Sequence, residues 1–201
     1  MSRKTKSVLR RTYLGLRRHL PRRGLRLKAK KILDRLEKLL GRTRCHGLCL
    51  YRAILNEPDI AGLAGSVGGQ RVFFPRVAGR SLEFYGARAA RDFQKSPLGI
   101  MEPKKRLPFL SEVSFPAPNS VVIFLVPGVV FDTAGGRIGF GKGYYDAYLR
   151  GVESVSRFRI FKIGVAWDFQ VRSGPLPTDR LDVRMDILVT EKRVIDCLKS
   201  S

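Results

Sequence analysis

The sequence predicts an α/β protein, a layered sandwich in which helices cover a largely parallel sheet. Three observations support this. Short apolar runs recur along the chain and read as buried strands, the strongest being Val121–Phe131 (VVIFLVPGVVF). Segments with helical spacing lie between them, and alternating strands and helices favour a parallel sheet buried on both faces. The 201 residues, 44% hydrophobic and 28% charged, have ordinary globular composition and can bury a core without disulfides or a structural metal.

Residues 4–19 and 22–40 are predicted helices, separated at Pro21 because proline interrupts the helical hydrogen-bond ladder. In the second, Leu25, Ile32, Leu33, Leu36, Leu39 and Leu40 recur at near-helical spacing, basic residues fill the opposite face, and Gly41 is the expected C-cap. Gly47–Ile54 reads as a buried strand, and Arg71–Val77 and Leu82–Tyr85 as two more around a turn at Ala78, Gly79 and Arg80. Residues 86–120 contain several prolines and read as irregular. Val121–Phe131 is the expected central strand. A glycine-rich segment at 135–143, a helix from Tyr144 to about Leu149 and buried strands at Ile160–Trp167 and Ile187–Thr190 follow. No repeat or long linker divides the chain, so one domain over 1–201 is expected, with basic helices at about 4–40.

The net charge is +22, from 39 Lys and Arg against 17 Asp and Glu. Residues 1–44 hold 17 of the cations and 2 of the acids, which leaves +15 there and +7 over the rest. Such a basic arm suits a polyanionic partner, whether a nucleic-acid backbone or a small-molecule phosphate. The first 20 residues lack the apolar core and small-residue cleavage site of a secretory signal. Their Arg-rich, acid-poor character is shared by organelle transit peptides and by basic amphipathic helices that belong to a fold, and the second reading is preferred. No apolar run approaches the roughly 20 residues of a spanning helix, so a soluble protein is expected. Cys45, Cys49 and Cys197 are too few for a disulfide framework and suggest a reducing compartment. Cys45, His46 and Cys49 lie close together, but a tetrahedral zinc site needs a fourth ligand and the only other histidine is His19. They read as buried small hydrophobes.

The chemistry-bearing segment is Asp132–Asp146, with glycines at 135, 136, 139, 141 and 143 between a buried strand and a helix. Glycines let backbone N–H groups approach a ligand closely, and the helix N-terminus beyond them favours an anion. Lys142 adds a point charge suited to phosphate. Gly136 to Lys142 satisfies GxxxxGK, but Gly143 stands where a P-loop carries Ser or Thr. The dinucleotide fingerprint fails as well, because Tyr144 occupies the place of its third glycine. Asp146 could replace the missing hydroxyl as a magnesium ligand.

The run from Val126 to Asp132 (VPGVVFD), followed by Arg137 to Asp146 (RIGFGKGYYD), resembles the signature of the 5-formyltetrahydrofolate cyclo-ligases, also called 5,10-methenyltetrahydrofolate synthetases. The likeness extends to Lys6–Arg10 (KSVLR), Glu57–Asp59 (EPD), Phe74–Arg76 (FPR), Leu82–Phe84 (LEF), Gly99–Pro103 (GIMEP), Gly164–Gln170 (GVAWDFQ) and Asp182–Asp186 (DVRMD). The resemblance implies a Rossmann-like three-layer α/β/α sandwich of the CoA-transferase-like kind. It also implies an enzyme that uses ATP and Mg2+ to convert 5-formyltetrahydrofolate into 5,10-methenyltetrahydrofolate, releasing ADP and phosphate through a phosphorylated formyl (imidate) intermediate. Lys6, Arg10, Arg137 and Lys142 are then expected at the triphosphate, with Tyr144 and the N–H groups of Gly139, Gly141 and Gly143. Lys142, Arg137 and Tyr145 become the expected catalytic residues, Glu57, Glu102 and Tyr145 the substrate-binding ones, and Asp146 and Asp182 the magnesium ligands. A cytoplasmic monomer acting on a folate, with or without a polyglutamate tail, completes the expectation.

Some positions depart from the family pattern. Phe140 stands where many members have Arg, Leu181 where a His is usual, and Pro58 where Val or Ile is expected. Two rival readings follow from these departures and the charge. One is a basic nucleic-acid-binding protein built on the N-terminal helices. The other is a family member that binds nucleotide or folate without turnover.

Overall fold

The computed structural model describes residues 2–200 except 22, 44, 67, 69–70, 80, 98, 111–119 and 156–157. Arg22, at the predicted start of the second helix, and Arg80, in the predicted turn, lie outside the described residues. In chain order the elements are α1 (Ser2–Arg18), α2 (Leu25–Leu40), β1 (Gly47–Cys49), α3 (Leu63–Ser66), β2 (Arg71–Ala78), β3 (Ser81–Gly86), β4 (Phe93–Lys95) and β5 (Met101–Pro103). They continue with β6 (Val121–Pro127), β7 (Val130–Asp132), β8 (Arg137–Ile138), α4 (Tyr144–Val155), β9 (Arg159–Val165), β10 (Val171–Arg172), β11 (Ile187–Val189) and β12 (Val194–Asp196).

Seven strands form the main sheet in the order β12-β11-β9-β6-β1-β2-β3. Its five inner strands pair in parallel, while β3 and β12 close the two edges antiparallel. Period-two alternation divides each strand between two cores. On β6, Ile123 and Leu125 face Ile32, Leu36 and Leu40 of α2 and Leu63 of α3. Val122, Phe124 and Val126 face the opposite core, with Leu149 of α4. Leu48 and Cys49 of β1, and Leu188 and Val189 of β11, divide in the same way. Helices therefore cover both faces, giving the three layers. No described helix is long and apolar enough to cross a membrane.

Several predicted boundaries are corrected by the structure. The apolar run 121–131 is two strands, because the chain turns at Pro127 and Gly128 and β7 joins a separate sheet in the order β10-β7-β8. Both halves are buried, so hydrophobicity could not show the break; the Pro-Gly pair was the available signal. The strand predicted to Ile54 leaves the ladder after Cys49, and Leu55 and Asn56 then take left-handed backbone conformations (φ 48 and 59). Gly41 caps α2 in a right-handed conformation (φ −64), its N–H bonding Glu37 O, and needs none of glycine's extra freedom. Residues 86–120 are not wholly irregular, since β4 and β5 form an antiparallel hairpin. The helix predicted to end near Leu149 runs on to Val155.

All three cysteines are buried free thiols. Cys45 donates from Sγ to Gly47 O, and burial pushes its pKa up to about 11. Gly164 is tightly fitted in the sheet: a Cβ there would lie 2.6 Å from Leu188, 2.7 Å from Phe131 and 3.1 Å from Met185. Gly164→Ala is expected to lower stability by about 1–3 kcal/mol through overpacking, read as a shifted urea midpoint at unchanged slope.

Candidate active site

A cavity of about 690 Å³ opens beside the glycine loop. The main-sheet strands β1 and β6 end at this cavity, and the chain leaving them supplies its walls, as expected at the carboxyl ends of parallel strands.

The glycine loop is shaped by Asp132, a buried carboxylate at the end of β7. Its Oδ1 accepts the N–H groups of Ala134 (3.0 Å) and Gly136 (2.8 Å), and its Oδ2 accepts Leu176 N–H (2.7 Å). Two close approaches explain glycines here. Gly135 has φ +83 and would place a Cβ 2.2 Å from Met185 O, and a Cβ on Gly141 (φ +97) would meet the Arg10 guanidinium at 3.1 Å. Arg10 Nε donates to Gly139 O at 2.8 Å, which seats that guanidinium on the loop.

Helix α1 belongs to the site, as the fold-helix reading of the N-terminal arm expected. Leu9 and Tyr13 pack on Val130, Ile138 and Leu176 of the small-sheet region. Lys6, Arg10 and Arg17 fall at i, i+4 and i+11 near the same face, so that packing turns them toward the loop. Lys6 Nζ lies 2.6 Å from Asp182 and 2.9 Å from Asp179. Burial works against the Lys6 charge, but its bonds to Asp182 and Asp179 outweigh that and hold its pKa above the usual lysine value.

Lys6, Arg10, Arg137, Gly139, Lys142, Gly143, Tyr144, Tyr145, Asp146, Asp182, Glu57 and Glu102 all line the cavity, together with Gly141. Their engagements differ. Lys142 is exposed at the wall. Arg137 is buried; its Nη2 bonds Asp146 Oδ1 at 2.8 Å and its guanidinium lies 5.7 Å from the Tyr145 ring centre. Asp146 Oδ1 also accepts Val183 N–H at 3.2 Å, which ties the start of α4 to the segment carrying Asp182. Burial pushes the Tyr145 hydroxyl far above the usual tyrosine range, so it stays protonated. Glu102 is held from the side by Val77 N–H (3.3 Å) and Arg76 (3.8 Å).

Glu57 is buried on the loop after β1, and Ile54 N–H donates to its Oε2 at 3.1 Å. Arg17 stands 3.5 Å from its other oxygen. Burial pushes the Glu57 carboxyl up to about 7, against the pull of Arg17 and the Ile54 N–H. Sequence reasoning missed Arg17, Asp132 and Asp179. The face shared with Lys6 and Arg10 could have indicated Arg17, and Asp followed by a Gly-rich turn could have indicated Asp132. Asp179 had no comparable signal.

Among the described residues, no three His, Cys, Asp or Glu side chains cluster to hold an ion by themselves. Asp146 and Asp182 do wall the same cavity. That arrangement fits magnesium, which takes one or two carboxylates and completes its shell with phosphate oxygens and water.

The family model for the 5-formyltetrahydrofolate cyclo-ligase family matches residues 2–191. The chain belongs to that family. A Schizosaccharomyces pombe protein described as a probable 5-formyltetrahydrofolate cyclo-ligase is 30% identical over 163 residues, covering 76% of this chain and 78% of that one. The solved structure of the Aquifex aeolicus 5,10-methenyltetrahydrofolate synthetase superposes with TM-score 0.77 at 33% identity, covering 96% of this chain and 92% of the other. A synthetase from Mycoplasma pneumoniae shares the fold at TM-score 0.70 and 24% identity, over 92% of this chain and 98% of its own.

Asp132→Ala is expected to leave three backbone N–H groups without an acceptor and to cost about 2–4 kcal/mol, measured by equilibrium denaturant unfolding.

Proposed function

We propose that the protein is an ATP-dependent ligase that closes 5-formyltetrahydrofolate to 5,10-methenyltetrahydrofolate, with release of ADP and phosphate. The observation that carries this reading is the shared cavity. The cations Lys6, Arg10, Arg137 and Lys142 and the glycine loop stand in one space with Tyr51, Glu57 and Tyr145, so a phosphate-rich and an aromatic, hydrogen-bonding ligand can meet there.

The chemistry asks for two things. A formyl oxygen on nitrogen is a weak nucleophile and a worse leaving group. Attack of that oxygen on the terminal phosphorus of ATP expels ADP and makes the oxygen part of a good leaving group. The neighbouring folate nitrogen then attacks the same carbon, the ring closes, and phosphate departs with the oxygen. Catalysis is therefore mostly alignment and charge neutralisation. Lys142, the exposed cation of the loop, is assigned to the transferring phosphoryl group. Lys6 and Arg10 serve the triphosphate from α1, with Tyr144 and the N–H groups of Gly139, Gly141 and Gly143 at the loop. Arg137 aligns Asp146 and adds positive charge behind Tyr145. Tyr145 lines the reaction space, while Glu57 accepts the N–H donors of the folate ring system and Glu102 supports the wall beside it. Asp146 and Asp182 would hold magnesium, which supplies charge neutralisation at the phosphates when bound.

Mixing the protein with 5-formyltetrahydrofolate and Mg2+ is expected to raise absorbance in the methenyl-folate band only when ATP is added. A flat trace from folded protein rejects the reaction. Lys142→Ala should lower kcat by about a hundredfold, the loss of one key electrostatic donor, and unchanged turnover would remove Lys142 from the site.

A further inference from the structure

Arg17 is buried to 1% exposure, yet it is not part of the cavity wall. It sits behind that wall where three segments meet. Its Nη1 donates to Gly128 O at 3.1 Å, just beyond β6, and stands 3.5 Å from Glu57 Oε1. Its guanidinium lies 5.3 Å from the ring centre of Phe140 in the glycine loop. The turn before Glu57 is anchored to the same place, because Asn56 Nδ2 donates to Arg17 O at 3.2 Å and Trp167 Nε1 donates to Asn56 O at 2.8 Å. These two bonds hold the left-handed backbone of Leu55 and Asn56, which side chains such as leucine rarely adopt.

The pair is poorly bonded for its burial. Arg17 Nε and Nη2 and Glu57 Oε1 have no hydrogen-bond partner among the described residues. A buried ion pair repays its desolvation only when the remaining donors and acceptors are satisfied. This one is a poor device for stability, and its unpartnered carboxylate oxygen belongs to a residue that lines the cavity. What the pair supplies is charge held at a residue of the cavity wall.

We propose that Arg17 is a positioning residue of the reaction: from behind the wall it favours the charged, accepting form of Glu57 for the folate ring system and braces Phe140 of the glycine loop against the same point. This rests on the folate reading of the cavity given above. The charged and titratable groups around Glu57 are Arg17 from α1, Tyr51 and Asp59 from its own segment, and Tyr145 from α4 with Arg137 behind it. Tyr51 and Tyr145 are both held protonated by burial, so Arg17 is the neighbour whose charge opposes protonation of Glu57 most directly. Without it, only the Ile54 N–H opposes the effect of burial, and the carboxyl shifts further toward a neutral acid that presents a proton where the ligand also has donors.

Arg17→Met and Arg17→Lys test this. For Arg17→Met, the acid limb of kcat/KM for 5-formyltetrahydrofolate at saturating ATP should move up by about 1–2 pH units. Near neutral pH the folate KM should rise by about tenfold or more, with much of the loss recovered at alkaline pH. Arg17→Lys, which keeps the charge, should leave the limb close to that of the unaltered protein. Ligand-free melting supplies an independent reading. Because the folded state raises the Glu57 pKa above its unfolded value, this carboxyl favours folding at low pH, and that contribution is lost as pH rises through the folded value. In Arg17→Met the loss should run to higher pH, and with Glu57→Gln added the pH dependence of the difference should vanish. An unmoved acid limb, or a pH dependence of the melting difference that survives Glu57→Gln, overturns the proposal. Absence of any turnover would reject the folate reaction instead, while the melting series still decides whether Arg17 sets the charge of Glu57. Should Arg17→Met fail to fold, Arg17→Gln carries the same test.

Discussion

A cavity that gathers Lys6, Arg10, Arg137 and Lys142 must keep like charges together when no anion is present, and this repulsion governs much of the surrounding structure. The chain answers with carboxylates. Lys6 rests on Asp182 and Asp179, Arg137 on Asp146, and Arg17 on Glu57. Two of the pairings join segments that are distant in sequence, α1 to the loop before β11 and α1 to the turn after β1, while Arg137 and Asp146 tie the glycine loop to the helix that follows it. Neutralising the site and assembling it are thus the same set of contacts. Two of these carboxylates, Asp146 and Asp182, are the proposed magnesium ligands, so binding of a magnesium-bound triphosphate would exchange partners at Lys6 and Arg137 without adding uncompensated charge.

The backbone part of the construction is the glycine loop. Asp132 gathers three backbone N–H groups, Gly135 admits Met185 O, and Gly141 leaves room for Arg10. The loop is therefore shaped before any ligand arrives. Preorganisation of this kind is what a positioning mechanism needs, since donors already in place cost no rearrangement during the reaction.

Much of the fold was legible because its signals are local. The two N-terminal helices follow from leucine spacing and Pro21, and the buried strands from runs such as Val121–Val126. The glycine loop was legible for a different reason, since five glycines in nine residues have few purposes besides close backbone approach. Boundaries failed where burial hid a change of direction. Val130 and Phe131 are as buried as β6 but belong to another sheet, and in the left-handed turn at Leu55 and Asn56 the leucine does not announce it. Arg17 was read as one more cation of a basic helix, because burial of a charge depends on what packs over it.

By itself, then, the sequence determined the α/β class, the placement of a glycine-rich loop between strand and helix, and the set of cations and carboxylates available to it. Periodicity, glycine content and residue type are properties of short segments and survive without a fold. Which cation pairs with which acid, that Arg17 lies beneath the cavity wall and that Asp132 points into its loop were decided only by tertiary structure. Those relations join residues up to 176 positions apart, as in Lys6 and Asp182, and depend on α1 docking beside the small sheet.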